Sequence, residues 1–296
     1  MISAAMLALA AQVSAAPSPP SPYQLVWSDE FNGTRIDRSK WGFDVNCWGG
    51  GNGERQCYTD TPRNASVSGG LLTITARREK TSGFALPHDQ RGGADGRRQT
   101  TKPFTSARMV TRGKAAWRYG KIEIRARLPL GQGTWPALWM LPEDNRYGAW
   151  PRSGEIDLME AVNLGVPCRA CASGREDHVL GTIHFGDRPP GNRFLSTNTT
   201  LPGAIDGFHV YSFEWTATTM QWSIDGRVYA NRRIGEWSTP ASRDKHAPFD
   251  TPFHLIMNLA IGGHLAEDRN AKGVDPTGFP KRMDIDWVRV WQRPGA

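Results

Sequence analysis

The sequence predicts an all-β fold, a double-sheet jelly roll of two curved antiparallel sheets whose concave face is left free for a ligand. Three observations predict it. Almost every ordered run is of strand length and is bounded by Gly, Pro, Asn or Asp. The run Lys121-Ile122-Glu123-Ile124-Arg125-Ala126-Arg127-Leu128 alternates charged and apolar side chains strictly, which is the period of a half-buried sandwich strand with a solvated charged face. Beyond the N-terminal apolar stretch no helical periodicity is sustained over a dozen residues, and no internal repeat is found.

Taken in order, the chain opens with an apolar stretch from Ile2 to Val13, closed by Val13-Ser14-Ala15, a small-residue cleavage pattern. No Lys or Arg precedes that stretch. It is too short to span a bilayer, so residues 1–15 are expected to be a signal peptide and 16–22 a Pro/Ser-rich leader. Residues 23–296 then form one domain, secreted or periplasmic, with no membrane partner. Strands are expected at 24–28, 71–76, 107–111, 120–128, 137–141, 155–161, 180–185, 210–215, 220–224, 227–231, 253–259 and 283–292. Asp225-Gly226 between two of these runs is a two-residue hairpin signal.

The formal net charge is +7, yet the Lys and Arg are scattered and form no basic run of nucleic-acid-binding spacing. Four cysteines in an exported chain point to disulfides. Cys47 and Cys57 flank a Gly-rich loop that a disulfide would pin, a constraint of about 2–3 kcal/mol. Cys168 and Cys171 form a Cys-x-x-Cys open to three readings: a structural disulfide, a redox pair or half a zinc site. No thioredoxin-like βαβ pattern surrounds it.

The chemistry concentrates in Gly154-Glu155-Ile156-Asp157-Leu158-Met159-Glu160-Ala161-Val162. Glu155 and Asp157 share a strand face, but the third acid arrives one residue late. In a regular strand Glu160 would point into the opposite layer, where a lone carboxylate is costly to bury. A β-bulge at Leu158-Met159 would return it to the face of the other two. Glu155 and Glu160 would then lie roughly 13 Å apart at Cα, at ~3.3 Å per residue. Three carboxylates on one face cannot all ionise freely, so one pKa is raised, which is the condition for acid/base work. The alternative is an acidic strand edge that discourages aggregation.

Twelve Trp raise the prospect of sugar stacking. Trp135 and Trp139 flank a Pro in the strand before the acidic one, and they and Trp150 belong either to the core or to a cleft. His184 lies on the following strand, and Asn258 is a lone polar side chain in an apolar run that must be hydrogen-bonded if buried. No paired His/Asp metal-ligand set and no phosphate-binding Gly loop is found.

With these residues in place, the chain resembles the laminarinase-like branch of glycoside hydrolase family 16. The resemblance runs along nearly all of the mature chain. It is carried by Leu25-Val26-Trp27-Ser28-Asp29-Glu30-Phe31-Asn32-Gly33, Tyr119-Gly120-Lys121-Ile122-Glu123, Trp135-Pro136-Ala137-Leu138-Trp139-Met140-Leu141, Gly154-Glu155-Ile156-Asp157-Leu158-Met159-Glu160, Gly181-Thr182-Ile183-His184 and Asp286-Trp287-Val288-Arg289-Val290. The Glu-x-Asp-x-x-Glu form is similar to that of laminarinases, agarases and carrageenases.

The resemblance implies a concanavalin-like β-jelly-roll and a retaining endo-hydrolase cutting β-1,3-glucan, monomeric and without a cofactor in its chemistry. Glu155 would be the nucleophile, Glu160 the general acid/base and Asp157 the carboxylate orienting Glu155. Trp135 and Trp139 would line subsites, with Asn52, Arg108, His184 and Asn258 as polar sugar contacts. It further implies a structural calcium, with Glu30, Asp286 and a carbonyl near Gly70 as its ligands.

The chain departs from the family pattern in three places. Asn52-Gly53-Glu54 stands where an Asn-Asn-Glu stretch is usual, His264 follows Gly262-Gly263 where a Trp is usual, and 169–177 reads as an inserted cleft-edge loop. Other polymers of the family (mixed-linkage glucan, agarose, carrageenan), transglycosylation, and a non-catalytic glucan-recognition protein are the alternatives. The last of these loses the catalytic glutamates that this chain keeps.

Overall fold

The computed structural model describes residues 23–295. The expected signal peptide and leader lie outside the described residues. The strands in chain order are β1 (Gln24–Asp29), β2 (Gly42–Phe43), β3 (Gln56–Tyr58), β4 (Ala65–Ser68), β5 (Leu71–Ala76), β6 (Thr81–Phe84), β7 (Gln99–Lys102), β8 (Phe104–Ser106), β9 (Arg108–Val110) and β10 (Gly120–Arg127). They continue with β11 (Thr134–Pro142), β12 (Glu155–Ala161), β13 (His178–Gly186), β14 (Asn192–Thr200), β15 (His209–Trp215), β16 (Thr219–Ile224), β17 (Arg227–Arg233), β18 (Phe253–Ile261) and β19 (Lys281–Gln292). The α-helix among the described residues is the single turn α1 (His264–Glu267), too short to cross a membrane.

Two antiparallel sheets make the sandwich. One has the order β17-β16-β15-β10-β19-β5-β4, with β1 also on β19, and the other the order β14-β13-β12-β11-β18-β9-β2. Alternation decides which face each residue takes. Ile122 and Ile124 of β10 join Phe213, Trp222 and Val288 in one core with Ile156, Ile183, Leu255 and Met257 from the other sheet. Each such side chain contributes about 1.5–3 kcal/mol on burial. The acidic strand therefore has one face in this core and its other face turned away from the partner sheet.

Every expected strand forms, most with bounds a few residues wider. The main omission is β14, an edge strand whose polar, largely exposed residues present no apolar period. The charged face of β10 differs from expectation. It is a ladder of ion pairs rather than a freely solvated row: Lys121 lies 2.7 Å from Glu123, Arg127 2.6 Å from Asp284, and Arg125 meets Asp286. Glu123 is buried beneath Trp291, whose Nε1 donates to it at 3.0 Å. The Asp225-Gly226 turn has positive φ at both residues (50° and 80°), as a two-residue hairpin of this twist requires. Cys47–Cys57 and Cys168–Cys171 are both disulfides, which removes the thiolates that a zinc site would need.

One contact ties the sandwich to the acidic strand. The Trp222 indole reaches across the core and donates from Nε1 to the Asp157 carbonyl at 2.8 Å. It fits because β13 carries Gly181 beneath it, where a Cβ would stand 2.5 Å from the Trp222 ring and 2.7 Å from the Tyr229 hydroxyl. Gly181→Val should therefore overpack the core and lower unfolding free energy by about 1–3 kcal/mol in chemical denaturation. An unchanged midpoint would show that the indole has room to move.

Candidate active site

The register of β12 settles the position of the third acid. Against β11 it runs Leu138↔Met159 and then Trp139↔Asp157, and against β13 it runs Asp157↔Thr182 and then Glu160↔Leu180. One extra residue of β12 is accommodated between Asp157 and Met159 against β11, and between Asp157 and Glu160 against β13. This is a β-bulge, and it increases the local twist and re-aims the next side chains of the strand. Leu158 and Met159 go into the core, and Glu160 comes out on the face of Glu155 and Asp157.

Each carboxylate then meets a different partner. Glu155 accepts a hydrogen bond from Trp150 Nε1 at 2.5 Å. Glu160 accepts one from Trp135 Nε1 at 3.0 Å. Asp157 is buried between them, with His184 Nε2 3.3 Å from its Oδ2 and 4.0 Å from Glu155 Oε1. His184 arrives there because β13 pairs it directly with Glu155.

These surroundings separate the protonation states. Burial, reinforced by the charges of Glu160 and Glu155, holds Asp157 well above the usual carboxylate range. Burial also raises Glu160; the Trp135 hydrogen bond pulls it back, and the Glu155 charge raises it further. For His184, burial favours the neutral ring, but the adjoining Asp157 and the charges of Glu155 and Glu160 outweigh it and push the imidazole up to about 9. Both members of the Asp157–His184 pair are therefore pushed towards proton retention at neutral pH. Glu160 is the acid primed to keep a proton, while Glu155 accepts the Trp150 indole hydrogen bond.

This geometry stands beside its relatives. A family model described as glycosyl hydrolases family 16 matches residues 52–289. The chain belongs to that family. It is 42% identical over 278 residues to a beta-glucanase of Rhodothermus marinus, covering 91% of this chain and 85% of the relative. To the glucan endo-1,3-beta-glucosidase A1 of Niallia circulans it is 38% identical, covering 90% of this chain and 38% of that longer protein. The solved laminarinase of Rhodothermus marinus superimposes with a TM-score of 0.73 at 41% identity, over 91% of this chain and 97% of that one. The protein is thus a laminarinase-like glycoside hydrolase with the family's jelly-roll fold, and family 16 chemistry needs no cofactor.

The remaining expected family 16 contacts sit as follows. Trp139 is opposite Asp157, and its Nε1 donates to Asn258 Oδ1 at 2.6 Å. Asn258 is buried and donates from Nδ2 to the Tyr58 hydroxyl at 3.0 Å, and that hydroxyl in turn donates to Glu54 Oε2 at 3.3 Å. Asn52 donates to Glu54 Oε1 at 3.3 Å, so it belongs to this same network. Arg108 stacks 4.6 Å over Trp139 and is held 3.1 Å from Asp44. Trp135 is nearly buried against Ala260 and Ala266 and lies over Gly263, where a Cβ would stand 3.0 Å from the ring, so it acts on Glu160 rather than presenting an open face. The 169–177 loop joins the α1 side, with Asn270 Nδ2 donating to Glu176 Oε2 at 3.0 Å.

The two carboxylates expected to hold calcium are engaged by arginines. Glu30 accepts from Arg289 Nε and Nη2 at 2.9 and 2.7 Å, and Asp286 from Arg125, so each carboxylate is already neutralised by a guanidinium. As arranged here, each carboxylate faces a guanidinium rather than the other oxygen ligands a hard divalent cation gathers. Cys168, Cys171 and Glu176, as well as Cys171, Asp177 and His178, bring ligand-type atoms together, but both sulfurs are in the disulfide. Glu155, Asp157 and His184 also converge to within 4.8 Å, where the imidazolium supplies the positive charge.

Two functional contacts were hidden in the sequence. Trp150, left between core and cleft, is the donor to Glu155, and Tyr58 and Glu54 hold Asn258 in place. Trp150 is only five positions from Glu155 but lies in a turn without a regular period, whereas Tyr58 and Asn258 lie on strands 200 positions apart.

The protonation pattern has two measurable outcomes. Trp135→Phe removes a donor that favours ionised Glu160, so the Glu160 pKa rises and the alkaline limb of the kcat profile moves to higher pH. A limb that stays put or moves down would exclude Glu160 as the proton donor. His184, raised from 6.5 to about 9, binds its proton more tightly in the folded state. Its stabilising contribution is therefore full below about pH 6.5 and is lost as pH rises towards 9. Unfolding titrations should show wild type losing stability across that window more steeply than His184→Gln, and parallel curves would contradict it.

Proposed function

We propose that the protein is an endo-β-1,3-glucanase that cleaves laminarin-like glucans with retention of configuration, and that it acts as a secreted or periplasmic monomer. The observation that carries this reading is the β12 bulge, which puts Glu160 beside Glu155 and Asp157 with an indole donor on each glutamate. Glu155 attacks the anomeric carbon while Glu160 gives its proton to the departing glycosidic oxygen. Glu160, now a base, takes a proton from water, and the hydroxide equivalent displaces Glu155 from the sugar. Asp157 and the adjoining His184 flank Glu155 and limit repulsion during this exchange.

The β-1,3 linkage is supported by the named activities of the relatives. The cleft network of Trp139, Asn258 and Tyr58 offers aromatic and amide groups suited to a neutral sugar rather than a cationic channel suited to a sulfated one. Export is supported by the apolar leader with its small-residue pattern and by two disulfides. A wider linkage range is the second reading, since a non-specific endo-beta-1,3(4)-glucanase superimposes with a TM-score of 0.72 at 34% identity. A binding-only role is disfavoured by the intact carboxylate set. This matters because a beta-1,3-glucan-binding protein of Penaeus monodon is 30% identical over 344 aligned positions.

Reducing-sugar release and product length on laminarin, mixed-linkage β-glucan, agarose and carrageenan test the reading. Short oligosaccharides should come from laminarin. Glu155→Gln and Glu160→Gln should fold normally and each lose at least about 10³ in kcat. Near-wild-type turnover by either variant would remove that residue from its role, and binding of laminarin without cleavage by wild type would favour a recognition protein.

A further inference from the structure

The cleft face does not stop at the reacting carboxylates. Pairing carries it outward in one row: Glu155 of β12 opposite His184 of β13, and His184 opposite Phe194 of β14, the edge strand. Phe194 is 62% exposed, more than any other large apolar side chain among the described residues. A single exposed apolar residue is ordinary on a protein surface. This one is not isolated. Its ring centroid lies 5.9 Å from that of His184, which lies 5.9 Å from Trp150, itself 42% exposed. The three rings form a continuous aromatic strip from the Glu155 carboxylate to the sheet edge. The strip is braced, because Arg152, two residues after Trp150, pairs at 2.6 Å with Asp187 in the turn joining β13 to β14.

We propose that Phe194 is a specificity-determining residue, the outer stacking platform of a sugar subsite at the β14 end of the cleft. This rests on the β-1,3-glucan reading for the identity of the polymer. Two strand spacings of ~4.8 Å put Phe194 roughly 10 Å from Glu155, so the ring it stacks is not the one being cleaved. A pyranose has an apolar face that suits an exposed phenyl and hydroxyl edges that suit His184 and the flanking β14 polar side chains. Phe194 therefore makes the enzyme discriminate by chain length, favouring glucans long enough to reach the edge.

The test is kinetics of wild type, Phe194→Thr and Phe194→Trp on β-1,3-gluco-oligosaccharides from three to six units. Thr keeps strand propensity at an edge position, and thermal melts check that both variants fold. Phe194→Thr should raise KM for the hexasaccharide about threefold to tenfold, the range of one aromatic stacking contact, with kcat within about twofold. The penalty should shrink for the trisaccharide, and Phe194→Trp should restore the hexasaccharide KM. An equal loss at every length, no loss at any length, or a loss falling on kcat overturns the proposal. If wild type cleaves none of these oligosaccharides but cleaves another polymer of the panel, the β-1,3 reading fails. The same three-protein comparison on that polymer's oligosaccharides then decides the platform.

Discussion

The structure depends on keeping three carboxylates together on one strand face without letting their repulsion open the fold. Unscreened like charges in a buried site are unfavourable, and among the described residues no lysine or arginine pairs with any of the three. The cost is reduced in three different ways. Trp150 hydrogen-bonds Glu155, Trp135 hydrogen-bonds Glu160, and Asp157 lies 3.3 Å from the His184 imidazole. Because each acid has its own partner, their surroundings differ, and Asp157 and Glu160 are the two pushed towards keeping a proton.

The sandwich serves that arrangement from below. The bulge leaves an irregular patch in the middle of a sheet, where a ladder defect would ordinarily be weak. Trp222 supports it from the opposite sheet by donating to the Asp157 carbonyl, and the space for Trp222 exists because residue 181 is a glycine. Above the sheet, the loop closed by Cys47–Cys57 delivers Glu54, Gln56 and Tyr58, which hold Asn258 and through it Trp139. The cleft wall is therefore a chain of hydrogen bonds between residues as much as 200 positions apart, and its rigidity comes from burial rather than from local propensity.

Charge is handled differently on the outer sheet. There the arginines and acids of β10 and β19 neutralise one another in pairs, and Glu30 and Asp286 are part of that pattern. A carboxylate in the chain gives no sign of which neighbour it faces; a residue far along the chain supplies the arginine it meets.

The sequence by itself determined the fold class, nearly every long strand and the membership of the acidic set. Period-2 alternation and the Glu-x-Asp-x-x-Glu spacing are local properties, readable wherever one face must be apolar. Even the bulge was legible as one of two options, since a misplaced carboxylate must either be buried at a cost or be brought back. Tertiary structure alone decided which option holds, because the register of β12 is set by β11 and β13 together. It also decided which indole serves which glutamate, that Asn258 looks to Tyr58, and that the polar strand β14 completes the cleft face with Phe194. Those outcomes depend on non-local pairing, and an edge strand without an apolar period has nothing in its own residues to announce where it will dock.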